Sequence, residues 1–481
     1  MDGNQDVVIA IGQQAELRMS GDDDGDNKLL DFIEKYIESG GKINKASKSD
    51  DGSHIKIQKV PKMMLRKNNW KEYYKPKEIA IGPLHAFTKS LKNTDDLKHR
   101  LTARFIKESG RDGRTLLEEI KKNISQLKEC FDLNVIPPLF NDDDKELARL
   151  LFLDGCFVLQ FIDSYVKGDI KEFEISSGQV VEIQHDLFLL ENQIPFRVLI
   201  ILMRLSKEGV RLATNIYRFI FLNNMVPHNF CSNWAQDIFF ANLEFLVNKK
   251  NIIEDDKLPA HLLDLLRSKL LFNEDEPEYD HESRTGGNTT DTLLYYKHSF
   301  RNVQDLKEVG IMLKPDYSRG LKSVSFSSPL YIFGKLNLPP LIVDDSTARK
   351  LLNLVAYEMC PDNNKKNYTV TSYLRLLDSL IDSEQDVKDL RLAHILRNHL
   401  SSDAKVAQLF NTIGSSLVPY DAYLSVKIEI QKHYERKIVA WKAQFYRDYC
   451  KSPWTILALL AAAAALILTG IQTYYSVNNP S

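Results

Sequence analysis

The sequence predicts a mainly α protein: a large helical globular domain with a small β or extended element and one C-terminal transmembrane helix. Apolar residues recur at helical spacing along much of the chain. β-branched and aromatic residues gather with prolines in one stretch, Leu321–Leu341. An uncharged apolar tract closes the sequence after Lys451.

Composition supports a folded protein, with 43% hydrophobic, 27% charged and 10% aromatic residues. The formal net charge of −2 argues against a dedicated nucleic-acid binder. The five cysteines, Cys130, Cys156, Cys231, Cys360 and Cys450, are far apart and never form C-x-x-C. Neither a disulfide framework nor a zinc site is expected from them.

Residues 1–54 read as an acidic, solvated and mobile tail, with Asp22, Asp23, Asp24 and Asp26 clustered. No basic region precedes a long apolar run there, so it is not read as a secretory signal. The helical domain is expected over 55–450. Its first part, Val60-Pro to Ile81-Gly-Pro83, is punctuated by proline and glycine and reads as extended. Helical spacing follows over Leu91–Lys128, and Leu147–Tyr165 is apolar around most of its circumference. Asp186–Leu205 reads as another core helix, interrupted at Pro195. A short helix is expected at His261–Arg267 and a polar loop insertion at 273–292. Helices are also expected at Thr347–Met359, capped by Asp345 or Ser346, and at Thr371–Ile381, Ser383–Leu392 and Ser402–Ile413. A long one runs from Tyr420 to about Tyr449.

The tract 453–475 is expected to cross a membrane, leaving a short tail at 476–481. Leu457, Leu460, Leu466, Ile467 and Ile471 supply its apolar surface, and its length suits a hydrocarbon core of about 30 Å. Trp454 at one end and Tyr474 with Tyr475 at the other suit the interfacial belts. Arg436, Lys437, Lys442, Arg447 and Lys451 precede the tract and nothing basic follows it, which places the bulk of the chain in the cytosol. The expected form is tail-anchored and single-pass.

Several strings resemble the plant domain-of-unknown-function 247 family. They are Ile81-Gly-Pro83, Leu153-Asp-Gly-Cys-Phe-Val-Leu159, Asp186-Leu-Phe-Leu-Leu-Glu-Asn-Gln-Ile-Pro-Phe196, His261-Leu-Leu-Asp-Leu-Leu266 and Asn353-Leu-Val-Ala-Tyr-Glu358. Leu338-Pro-Pro-Leu-Ile-Val-Asp-Asp345, Pro453-Trp454 and Gln472-Thr-Tyr-Tyr-Ser476 belong to the same set. The resemblance implies a plant protein of unassigned activity with a C-terminal membrane helix. Some grass members look like pollen-side determinants of self-incompatibility, which implies a recognition role.

The family-motif residues Asp154, Gly155, Cys156, Glu191, Asn192, Gln193 and Pro195 are the candidates for a site. Glu191 within apolar surroundings has the makings of a general acid. The plainer reading is that Glu191, Asn192 and Gln193 satisfy backbone groups beside the Pro195 break. Cys156 is a nucleophile only with a nearby base, and a buried thiol otherwise. Asp344 and Asp345 with Glu358 have the oxygen donors for a divalent cation, but charge at a helix N-terminus explains the aspartates more simply. No P-loop, Rossmann, nucleophile-elbow or zincin motif occurs. The sequence therefore predicts a membrane-anchored protein with no catalytic, cofactor or metal residue to name. The lipid bilayer and an unidentified protein are its expected partners, and recognition, signalling or scaffolding its role. The alternative is a membrane-bound enzyme with a non-local active site.

Overall fold

The computed structural model describes residues 56–66, 70–88, 91, 95–132, 134–140, 143–227, 258–271, 302–318, 320–329, 333–361, 368–414, 417, 422–435 and 453–478. All belong to the second of two compact units, His54–Ser481. The acidic tail at 1–54 and the polar loop at 273–292 lie outside the described residues.

Among the described residues of 56–85 the chain enters as an extended strap broken by single turns α1 (Lys62–Leu65) and α2 (Lys71–Tyr74). Then come α3 (Asp95–Ser109), α4 (Gly113–Lys122) and α5 (Ile124–Glu129), where one helical stretch was expected. The central element is α6 (Asp144–Lys167). Asp143 caps its start by accepting N–H bonds from Lys145 and Glu146, and Gly168, at φ 83°, ends it in the left-handed region. Between the caps, Leu147, Leu151, Phe157, Val158, Phe161 and Ile162 are buried. Such a helix is covered on most sides, and α3, α4, α8 (Phe196–Leu205) and α9 (Gly209–Leu222) pack around it. Gly155 lets α8 come close: a Cβ there would sit 2.7 Å from Leu202 Cδ1 and 2.8 Å from Val198 Cγ1.

The stretch Asp186–Leu205 is not one kinked helix. Helix α7 (Ser177–Asp186) ends at Asp186, and Pro195 sits at the N-cap of α8 with φ −55° and ψ 132°. A proline ahead of the first turn sacrifices no helical hydrogen bond, so the chain breaks there rather than bending.

The second half holds α10 (Leu262–Leu271), α11 (Val303–Glu308), α12 (Thr347–Glu358), α13 (Thr369–Leu380), α14 (Glu384–Leu392), α15 (Asp403–Gly414) and α16 (Leu424–Tyr434). The expected continuation of α16 to about Tyr449 lies outside the described residues. Two small sheets are inserted. β1 (Ile311–Pro315) pairs parallel with β3 (Gly334–Leu338), and β2 (Ser325–Ser327) lies antiparallel to β3, giving the order β1-β3-β2. β4 (Leu341–Val343) pairs parallel with β5 (Leu396–Asn398). Neither Asp345 nor Ser346 caps α12 through its side chain. Asp344, just ahead of the helix, accepts from the Ser346 N–H and from the Ser346 and Thr347 hydroxyls.

The last helix, α17 (Pro453–Asn478), corrects the expectation of a transmembrane span. Among the described residues, no helix is long and apolar enough to cross a membrane. The described side chains of this helix are all exposed, residues 460–474 without a break. It also carries Thr469, Gln472 and Thr473, and both threonine hydroxyls donate to carbonyls one turn back. Leu457, Leu460, Leu466, Ile467, Ile471 and Tyr474 are exposed along it. The side chains of Trp454 and Tyr475, and the residues Arg436, Lys437, Lys442, Arg447 and Lys451, lie outside those described.

Gly155→Val should drive a branched side chain into Leu202 and Val198. The expected result is a loss of about 1–3 kcal/mol in chemical unfolding, with helix content unchanged by circular dichroism.

Candidate functional site

The residues singled out by sequence converge where the strap crosses the linker between α7 and α8. Asp186, fully buried at the end of α7, receives the backbone N–H groups of Lys77 (3.1 Å to each oxygen), Glu78 (2.7 Å) and Ile79 (2.9 Å). Arg349 of α12 donates to the same carboxylate at 2.8 Å, and also to the Lys75 carbonyl and Glu182. Burial pushes the Asp186 carboxyl above its usual range, while Arg349 and the three N–H groups pull it back. Every described partner of this carboxylate is a donor.

The neighbouring motif residues extend the clasp. Asn192 accepts from the Ile81 N–H at 2.7 Å and donates to the carbonyls of Ile79 and Asp186. Gln193 donates to the Leu187 and Leu189 carbonyls, serving the linker that the helix does not include. Glu191 accepts the Val60 N–H at 2.8 Å. Asn353 of α12 accepts from the Leu190 N–H and donates to the carbonyls of Tyr73 and Arg349. On α6, Asp154 accepts the Gly82 N–H at 2.8 Å and pairs with buried Lys98. Gly82 has φ +78°, and a Cβ there would lie 2.2 Å from the Gln193 carbonyl oxygen. Only glycine satisfies both conditions.

A second buried cluster fixes the other side of α8. His261, fully buried, accepts the Asp264 N–H on Nδ1 at 3.2 Å, and its ring meets Tyr357 edge-on with centroids 5.0 Å apart. Asp264 accepts the Ala260 N–H, and the Ala260 carbonyl accepts the N–H of Phe196 at the start of α8. Burial lowers the His261 pKa to about 4 from 6.5. Nearby Glu358 receives Arg267 and the N–H groups of Val370 and Thr371 at the start of α13.

Asp154, Glu191, Asn192 and Gln193 therefore act together on the strap and linker, and Pro195 starts α8. Gly155 and Cys156 instead belong to the interior of the helix packing. Cys156 is fully buried, and burial pushes its thiol well above its ordinary value, away from nucleophilic use. Among the described residues, no group of three His, Cys, Asp or Glu side chains gathers to hold a metal ion. Asp344 and Glu358 serve two different helix N-termini. A partly open titratable pair borders the clasp: His85 Nε2 lies 3.8 Å from Glu191 Oε2, each side chain 16% exposed. Burial raises the Glu191 pKa, while burial and then Lys75 lower that of His85 to about 4. Lys98 and Arg349 stand outside the strings singled out by sequence, while Asp186 and Asn353 stand within them but not among the candidate site residues. A signal existed for Asn353, a polar residue among the buried leucines of α12.

With this geometry the comparisons with known proteins become specific. A family model described as a plant protein of unknown function, DUF247, matches residues 57–468. This chain belongs to the DUF247 family. The match begins at Ile57, where the strap makes its first bridge, to Phe131. The chain is similar to UPF0481 protein At3g47200 of Arabidopsis thaliana, at 27% identity over 446 residues, covering 88% of this chain and 86% of the relative. It is also similar to putative UPF0481 protein At3g02645 of Arabidopsis thaliana, at 23% identity over 491 residues, with 87% and 90% covered. No solved structure matches this DUF247 chain.

Two outcomes test the clasp. Asp186→Asn and Arg349→Ala should each cost about 3–5 kcal/mol, because each leaves a buried charge or its donors unpaired. The double variant should cost at least 1 kcal/mol less than the sum, as read by chemical unfolding. His261 tests the second cluster. Its folded pKa lies below its unfolded one, so the unfolded chain takes up the proton first, and stability falls as pH drops from 6.5 towards about 4. A His261→Gln variant should lose about 1.4 kcal/mol less per pH unit over that window.

Proposed function

We propose that this DUF247 chain is a binding protein that acts through protein–protein contacts, in recognition, signalling or scaffolding. One observation carries the reading: the motif's polar side chains are spent inward. Asp154, Asp186, Asn192 and Gln193 are buried and hold the strap and linker to the helical core, which turns them away from any substrate. A rigid body of this kind presents surface rather than chemistry. Large apolar side chains stand exposed on it, among them Leu222 on α9, Met312 on β1 and Phe333 beside β3. Aromatic and Met side chains are the residue types enriched at interface centres.

The partly exposed His85–Glu191 pair favours a second reading, in which a proton is moved between a substrate and one of these groups. The two readings separate by experiment. Proximity labelling from the full chain in plant cells should enrich a defined protein set, and Met312→Asp with Phe333→Asp should deplete it at least tenfold while the melting temperature holds. Turnover of a small molecule by the purified chain, abolished by Glu191→Gln, would instead establish the second reading.

A further inference from the structure

Charge along this chain is uneven. Among the described residues between 56 and 77 there are seven lysines and arginines and one acid, Glu72, a local net charge of +6 (7 − 1) in a chain of net −2. The fold gathers this charge on one excursion. Val60 is tied to Glu191 and Lys77 to Asp186, five residues apart in the same linker, so the strap leaves and returns close to one place. Met64, Trp70 and Tyr74 point inward and are buried. Lys59, Lys62, Arg66, Lys71, Lys75 and Lys77 are exposed. Between them stand two exposed apolar side chains, Met63 (50%) and Tyr73 (37%).

Lys75 pairs with Glu72 and Lys77 with Glu182, but among the described residues no ion pair joins Lys59, Lys62, Arg66 or Lys71. Unpaired like charges held together on a short segment repel one another, and an anionic partner relieves that repulsion.

We propose that Lys59, Lys62, Arg66, Lys71, Lys75 and Lys77 form a docking surface for anionic phospholipid headgroups, with Met63 and Tyr73 entering the interfacial layer. Three features favour a lipid surface over a folded acidic partner. The exposed cations are five lysines and one arginine; lysine is a point charge that suits diffuse phosphate, whereas bidentate carboxylate recognition favours arginine. The charges are spread along an excursion instead of lining a pocket. The apolar side chains among them match the mixed polar and apolar depth of a membrane interface. Each basic side chain close to such a surface raises partition about fivefold. The contact is peripheral and is independent of the protein-contact reading above.

Vesicle co-sedimentation of the full chain tests this. Phosphatidylcholine vesicles containing phosphatidylserine should retain at least tenfold more wild-type protein than phosphatidylcholine alone, and the difference should collapse between about 0.1 M and 0.5 M salt. The triple variant Lys62→Glu, Arg66→Glu, Lys71→Glu should lose at least tenfold of the anionic component. The equally charged control Lys107→Glu, Lys145→Glu, Lys171→Glu, with its changes elsewhere on the surface, should lose less than threefold. Equal binding to both vesicle types, absent salt dependence, or equal losses in the two triple variants would overturn the proposal. So would strap reversal that abolishes binding to RNA or polyglutamate while vesicle binding persists. The lipid and salt comparisons use unaltered protein, so they decide the matter even if the strap variant fails to fold.

Discussion

The fold turns on one buried carboxylate. Asp186 sits at the point where α7 ends, the strap crosses and α12 approaches, and its oxygens are filled by three consecutive strap N–H groups and Arg349. A charge in that position is tolerated only when fully coordinated, so its presence dictates the path of the strap and the placement of α12 together. Asn192 repeats the logic one step along, matching amide to backbone where a side chain of another shape would leave the strap's groups unmet. The strap lacks regular structure because its hydrogen bonds are supplied by side chains of the core.

Helical class was legible because α6, α12, α13 and α15 carry apolar residues at the period of the helix, and their limits fall within a few residues of those expected. The reading failed where tertiary contacts override periodicity. Leu187–Leu190 are apolar enough to pass for helix, but their backbone is bonded to Gln193 and Asn353 instead. Strand β1 escaped notice because Ile311–Pro315 has a lysine and a proline and is too short to show alternation beyond doubt. The terminal tract was read as a span from its uncharged length, whereas no helix among the described residues meets the length and apolarity a crossing requires.

Of the site, the sequence revealed the motif but not its geometry. Glu191, Asn192 and Gln193 were expected to serve backbone groups, and they do. Other contacts of the clasp were invisible: Arg349 and Asn353 lie 163 residues from the groups they meet at Asp186 and Leu190. No local pattern announces a contact of that span. Lys98 shows the same gap. It resembles any surface lysine of an amphipathic helix, yet it is buried against Asp154.

The separation in sequence between the strap and its partners also sets an order of events during synthesis. Arg349, which holds the Lys75 carbonyl, is made 274 residues later. At about 5–20 residues per second, that interval lasts on the order of 14–55 s. Throughout it the nascent strap, with Trp70 and Tyr74 not yet covered, has no α12 to settle against. The strap thus reaches its final place only once α12 has been made, long after its own synthesis.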